Sequence, residues 1–115
     1  MQAYKLTLKL LFTVMLLVVT SSTVIAEEMD GKKVAFDRKK GNCLACHVMD
    51  NGDMAGNIGP PLIVMKARFP DRAALKAQIW DATVKNKISI MPPFGKHKIL
   101  TDNEIEKLID YLYTL

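Results

Sequence analysis

Apolar and polar positions divide this chain unevenly. Leu10 to Val19 is a nearly unbroken apolar run behind Lys5 and Lys9, followed by Thr20-Ser21-Ser22 and then Val24-Ile25-Ala26 before Glu27. A basic start, a short apolar stretch and permissive residues before a cleavage point are the pattern of a secretory signal peptide. The apolar run is too short and too often interrupted for a bilayer, which needs ~20 predominantly apolar residues. The reading is a signal peptide at 1–26 and one mature domain at 27–115.

Beyond residue 27 the spacing predicts helices separated by long loops. Asp30 is a candidate N-cap for a helix running to Lys40, with Gly41-Asn42 as its stop. Residues 62–68 suit a short helical piece. Pro70 and Asp71 open a further helix whose Leu75, Ile79 and Ala82 share one face, with Trp80 on it as well. Thr101 and Glu104 form a capping box, and Ile105, Leu108, Ile109 and Leu112 recur at helical spacing to the end. Between 83 and 100 no period is sustained, and Pro92-Pro93 interrupts helix and strand alike. No pair of segments alternates as a sheet requires, so the expected fold class is all-α with long loops.

Composition adds two constraints. The chain has 16 Lys and Arg against 12 Asp and Glu, and loss of Lys5 and Lys9 with the signal peptide leaves a mild excess of two positive charges. That is too little, and too scattered, for a nucleic-acid surface. A domain this small buries only about 60–65% of its unfolded surface and benefits from a covalent or metal staple. The chain holds two cysteines, and they are the candidates for that staple.

Cys43-Leu44-Ala45-Cys46-His47 is a C-x-x-C-H pentapeptide, the attachment signature of c-type haem. Two thiols at this spacing can each add to a vinyl group on one porphyrin edge, and the adjacent histidine then falls beneath the iron. A redox disulfide of this spacing belongs in a βαβ context, which is missing, and a zinc site would lack ligands. The expected cofactor is one covalent haem c, with Cys43 and Cys46 as attachments and His47 as an axial ligand.

The second axial position has two candidate donors. Met49 and Met54 lie too near His47 in sequence, and Met65 sits on a short helical face that suits packing. Met91 stands in the irregular segment, stiffened by Pro92-Pro93, and methionine raises a haem potential relative to other donors. His97 is the alternative donor in the same segment. A ligating histidine usually donates its other ring N–H to an oxygen, and a proline carbonyl of Gly59-Pro60-Pro61-Leu62, at Pro60, is a candidate acceptor. Trp80 is expected in the core, its indole N–H a candidate donor to a haem propionate. Lys32, Lys33, Arg38, Lys39 and Lys40 form a basic cluster able to steer an acidic partner.

These features together resemble the class I cytochromes c. More narrowly, Lys40-Gly41-Asn42-Cys43-Leu44-Ala45-Cys46-His47, Gly59-Pro60-Pro61-Leu62 and Met91-Pro92-Pro93-Phe94-Gly95 resemble the SoxX family, monohaem subunits of the SoxAX cytochrome complex. The resemblance implies a class I cytochrome c fold, His47 and Met91 as the axial pair, and an exported, periplasmic protein bound to a SoxA-type cytochrome. It implies electron acceptance during thiosulfate conjugation to the SoxYZ carrier protein, with a downstream acceptor cytochrome. With no third cysteine, the chain is expected to be a non-catalytic subunit, without nucleic-acid or, after cleavage, membrane partners. The expected contact core is Ile88, Ile90 and Phe94, with Lys39 and Lys40 at its rim. The alternative is a free-standing soluble class I cytochrome c that shuttles electrons.

Overall fold

Thr101 begins the best-specified element. Its hydroxyl accepts from the Glu104 backbone N–H at 3.2 Å, and the Glu104 carboxylate accepts from the Thr101 N–H at 2.8 Å. This reciprocal cap satisfies two otherwise orphaned donors. In the computed structural model, which describes residues 30–115, it opens the longest helix, Asp102–Leu112 (α4). The expected signal peptide at 1–26 and Met29 lie outside the described residues.

Three shorter helices precede α4: Gly31–Phe36 (α1), Met65–Arg68 (α2) and Arg72–Trp80 (α3). Short 3-10 turns stand at Cys43–Ala45 and Ala82–Val84. Among the described residues there is no strand, and no helix is long and apolar enough to cross a membrane. The architecture is the expected all-α one.

α1 ends four residues earlier than the sequence predicts. The Asp37 carboxylate accepts from the Lys39 N–H at 2.8 Å, and its carbonyl accepts from Lys40 and Asn42. This local competition with the helical ladder turns the chain out after Phe36. α3 also stops short: Asp81 at φ −156° breaks it, so Ala82 is buried on the following turn and not on the helix. Asp71 is the N-cap of α3, and Pro70 lies outside it.

α4 organises the core. Ile105, Leu108, Ile109 and Leu112 are buried with Leu75 and Ile79 of α3 and Val34 and Ala35 of α1. Each such side chain contributes on the order of 1.5–3 kcal/mol relative to exposure. α1 crosses α4 at Gly31, where an added Cβ would lie 1.9 Å from the Lys107 carbonyl oxygen, so only glycine permits this approach. Phe36 packs edge-on against Tyr111, ring centroids 6.4 Å apart. Arg72 reaches Glu106 and Asp110, and Lys76 reaches Asp102 and Glu106. Exposed pairs of this kind add at most about 1 kcal/mol each.

Glu104 is buried and also receives a hydrogen bond from Lys40 Nζ. That bond, with the Thr101 cap, holds its carboxyl below the ordinary value of 4.5. A carboxylate depressed by folding contributes stability that is complete above its unfolded pKa and is lost as pH falls through the folded value. Glu104→Gln is therefore expected to cost about 1–2 kcal/mol at neutral pH. The gap to the parent should close in acid, below the folded pKa of Glu104. Thermal melts across an acid series check this; a gap independent of pH would refute the assignment.

Candidate functional site

The five-residue Cys43–His47 motif sits at the end of the turn that follows α1. Asn42 enters it in the left-handed region, φ 46°, which asparagine tolerates better than most side chains. The 3-10 turn Cys43–Ala45 follows, with the Cys46 and His47 N–H groups both donating to the Cys43 carbonyl, at 3.1 and 2.9 Å. Three residues per 3-10 turn brings positions i and i+3 onto one side, which places Cys43 and Cys46 on a common edge. Both thiols are half-buried and unbonded to each other. Burial pushes the Cys43 thiol up to about 11. Among the described residues no three His, Cys, Asp or Glu side chains gather as an ion site.

The loop after His47 folds back as a strap. Gly56 N–H donates to Leu44 O at 2.9 Å, Gly59 N–H to Cys46 O at 2.8 Å and Leu62 N–H to Val48 O at 2.8 Å. The imidazole of His47 is oriented by this strap: Nδ1 lies 2.7 Å from the Pro60 carbonyl oxygen. A carbonyl only accepts, so Nδ1 carries the proton and Nε2 is left as the free donor pair. Gly59 makes this possible, since a Cβ there would stand 2.3 Å from His47 Cε1. Two half-buried thiols on one edge and an imidazole whose Nδ1 is held by the Pro60 carbonyl form a donor set that fits haem c.

The irregular segment carries the two residues expected as second donors, Met91 and His97. Met91 is half-buried against the core, its N–H donating to Ser89 Oγ at 3.3 Å. Phe94 is buried and its carbonyl accepts from Leu100 N–H, anchoring the loop after Pro92-Pro93. Of the other described methionines, Met49 and Met65 are fully enclosed in the core, and Met54 is 90% exposed. His97 is exposed, its backbone N–H bonded to Pro93 O.

Two expectations need correction, and two of the expected surface cations are paired. Trp80 is 40% exposed and not a core residue; its ring lies over Gly95, where a Cβ would sit 2.1 Å from the indole. Phe94, expected on a contact face, is in the core, because the turn after Pro93 points it inward to α4's apolar cluster. Lys40, expected at a contact rim, is bonded to Glu104. Lys32 likewise pairs with Asp50 at 2.7 Å, which leaves the basic cluster partly neutralised.

Sequence reasoning missed Asp81 and Lys96, which form a 2.8 Å ion pair with Asp81 buried. The Asp-x-Thr at 81–83 is an N-cap signal for a turn, and it could have drawn attention to Asp81.

Comparison with known proteins adds three findings. The family model described as cytochrome c oxidase, cbb3-type, subunit III matches residues 27–112. An "uncharacterized lipoprotein" of Aquifex aeolicus (strain VF5) is 38% identical over 76 residues, which is 65% of this chain and 37% of that protein. The chain thus spans little more than a third of that relative's length. A chain in the crystal structure of SoxXA from P. pantotrophus shares the fold, with TM-score 0.65 and 24% identity over 73% of this chain and 77% of that one.

Proposed function

The chain belongs to the family described as cytochrome c oxidase, cbb3-type, subunit III, and we propose that within it this chain is the electron-accepting subunit of a thiosulfate-oxidising cytochrome complex. At the coarser level it is an electron-transfer cytochrome of the c type with a class I fold. Haem c supplies a one-electron couple. Cys43 and Cys46 would tether it through thioethers, His47 would bind iron through Nε2, and Met91 would be the second ligand. Pro60 holds the imidazole orientation and tautomer through the Nδ1 hydrogen bond. That bond, inside a C-x-x-C-H turn, is the observation that carries the haem reading.

The sulfur role is supported by the fold shared with a SoxXA chain and by the Gly-Asn-Cys and Met-Pro-Pro-Phe-Gly segments. The partners follow from it: a SoxA-type cytochrome bound directly, the SoxYZ carrier reached through the complex, and a downstream acceptor cytochrome. Cleavage after Ala26 and residence in the periplasm complete the proposal.

The second reading, a free-standing shuttle, is favoured by a family description that names an oxidase and not a sulfur enzyme. Reconstitution separates the two. On the subunit reading, thiosulfate reduces this haem only when the SoxA-type cytochrome and carrier are added, and the chain copurifies with that cytochrome. Rapid oxidation of the isolated, reduced chain by an oxidase, with no stable complex with a SoxA-type cytochrome, would favour the shuttle.

A further inference from the structure

The distal loop is closed by a single carboxylate. Asp81 stands at the end of α3, just before the loop that carries Met91, and is 6% exposed. Its Oδ1 accepts from the Thr83 N–H at 3.1 Å and from the Thr83 hydroxyl, which anchors the loop's entry. Its Oδ2 accepts from Lys96 Nζ at 2.8 Å, which anchors the loop's exit. The neighbouring Trp80 reinforces the exit: its carbonyl accepts from the N–H groups of Gly95 and Lys96, at 3.3 and 3.2 Å, and its ring covers Gly95.

Between Thr83 and Met91 the loop has little support of its own beyond the Lys85 ammonium over the Phe69 ring, 5.9 Å from its centroid. Ile88 and Ile90 are 86% and 73% exposed, and the bonds within it, Ser89 N–H to Asn86 O and Met91 N–H to Ser89 Oγ, are local. Met91 is separated from the exit anchor by Pro92-Pro93-Phe94, two of them with φ locked by the ring. A short stiff lever transmits any shift at Gly95 and Lys96 to the Met91 backbone.

We propose that Asp81 and Lys96 are positioning residues for Met91, a latch that sets how often the loop releases its thioether from the iron. This rests on the proposed axial role of Met91. Breaking the pair leaves a buried carboxylate without its cation, and a charge-assisted bond of this kind shifts an equilibrium by one decade or more. The released state should rise by about that factor, while the α3–α4 packing, built on Leu75, Ile79 and the Arg72 and Lys76 pairs, remains.

The test uses ferric holoprotein and follows imidazole binding, which requires the methionine to leave. Asp81→Asn and Lys96→Gln should each bind imidazole about tenfold faster or more, and Lys96→Arg should stay near the parent. Arg72→Gln, which breaks ion pairs away from the loop, should lower Tm without changing that rate. The near-infrared sulfur-to-iron band is recorded in parallel for the parent and for Met91→Ala. A Met91-dependent band with unchanged rates in Asp81→Asn and Lys96→Gln overturns the latch alone. Equal acceleration in Arg72→Gln also overturns it, by reducing the effect to general destabilisation. A parent whose band does not depend on Met91 overturns the ligand reading and the latch with it. Lys96 is exposed, so Lys96→Gln keeps the test open if Asp81→Asn does not fold.

Discussion

Replacing Cys43 and Cys46 together by alanine is expected to abolish covalent haem and with it most of the folded population. Both thiols emerge on one edge of the 3-10 turn, and among the described residues no other cysteine can take their place. The domain is small, its core rests on parts of four short helices and the loops between them, and the strap from Val48 to Leu62 is held largely by backbone bonds to the attachment turn. A group bound only by the folded chain adds its binding free energy to folding. Coexpressed with a cytochrome c maturation system, the parent should gain the mass of one haem under denaturing, reducing conditions. The double variant should run at the bare polypeptide mass with weakened far-ultraviolet circular dichroism. Each single substitution should retain one thioether. A parent without bound haem after maturation would reject the assignment.

Met91→Ala should remove the near-infrared sulfur-to-iron band and lower the reduction potential by tenths of a volt, against the roughly 0.8 V that axial ligands span. Thioether ligation raises haem potentials relative to imidazole or water. Met49 and Met65 are packed among core side chains, and Met91 is the half-buried methionine on the proline-stiffened loop. Met65→Ala should keep the band and lose stability instead, by about 2–5 kcal/mol for a large-to-small core change. If the band survives in Met91→Ala and vanishes in Met54→Ala, the axial assignment belongs to the other loop. Loss of the band in His97→Ala would instead show that the imidazole side chain of this exposed residue supports the loop.

What the chain alone determines is the chemistry carried by contiguous residues. Cys43, Cys46 and His47 are adjacent, and their spacing is meaningful without any tertiary contact. The Thr101 and Glu104 cap and the period of Ile105, Leu108, Ile109 and Leu112 are equally local, which is why α4 was legible from its first residue, although it stops at Leu112 and not at the chain's end. The absence of strand alternation gave the all-α class on the same footing. Where local signals competed, the sequence misled. Asp37 ended α1 through its own carboxylate, and Asp81 ended α3 before Ala82, because short polar side chains offer the backbone bonds that rival the helix.

Only the tertiary structure decided which distant residues meet. Pro60 was one loop carbonyl among several until the strap brought it within 2.7 Å of His47 Nδ1, an approach that Gly59 permits by lacking a side chain. Lys40 read as a surface charge, yet it crosses to the buried Glu104 of α4. Phe94 and Trp80 exchanged their expected places: the phenyl ring enters the core, and the indole lies outside over Gly95. The Asp81–Lys96 pair joins two ends of a loop whose members give no periodic signal. The physical reason is common to all four. A hydrogen bond or ion pair is made by proximity, and proximity between residues far apart in the chain is set by how the apolar faces of α1, α3 and α4 close on one another.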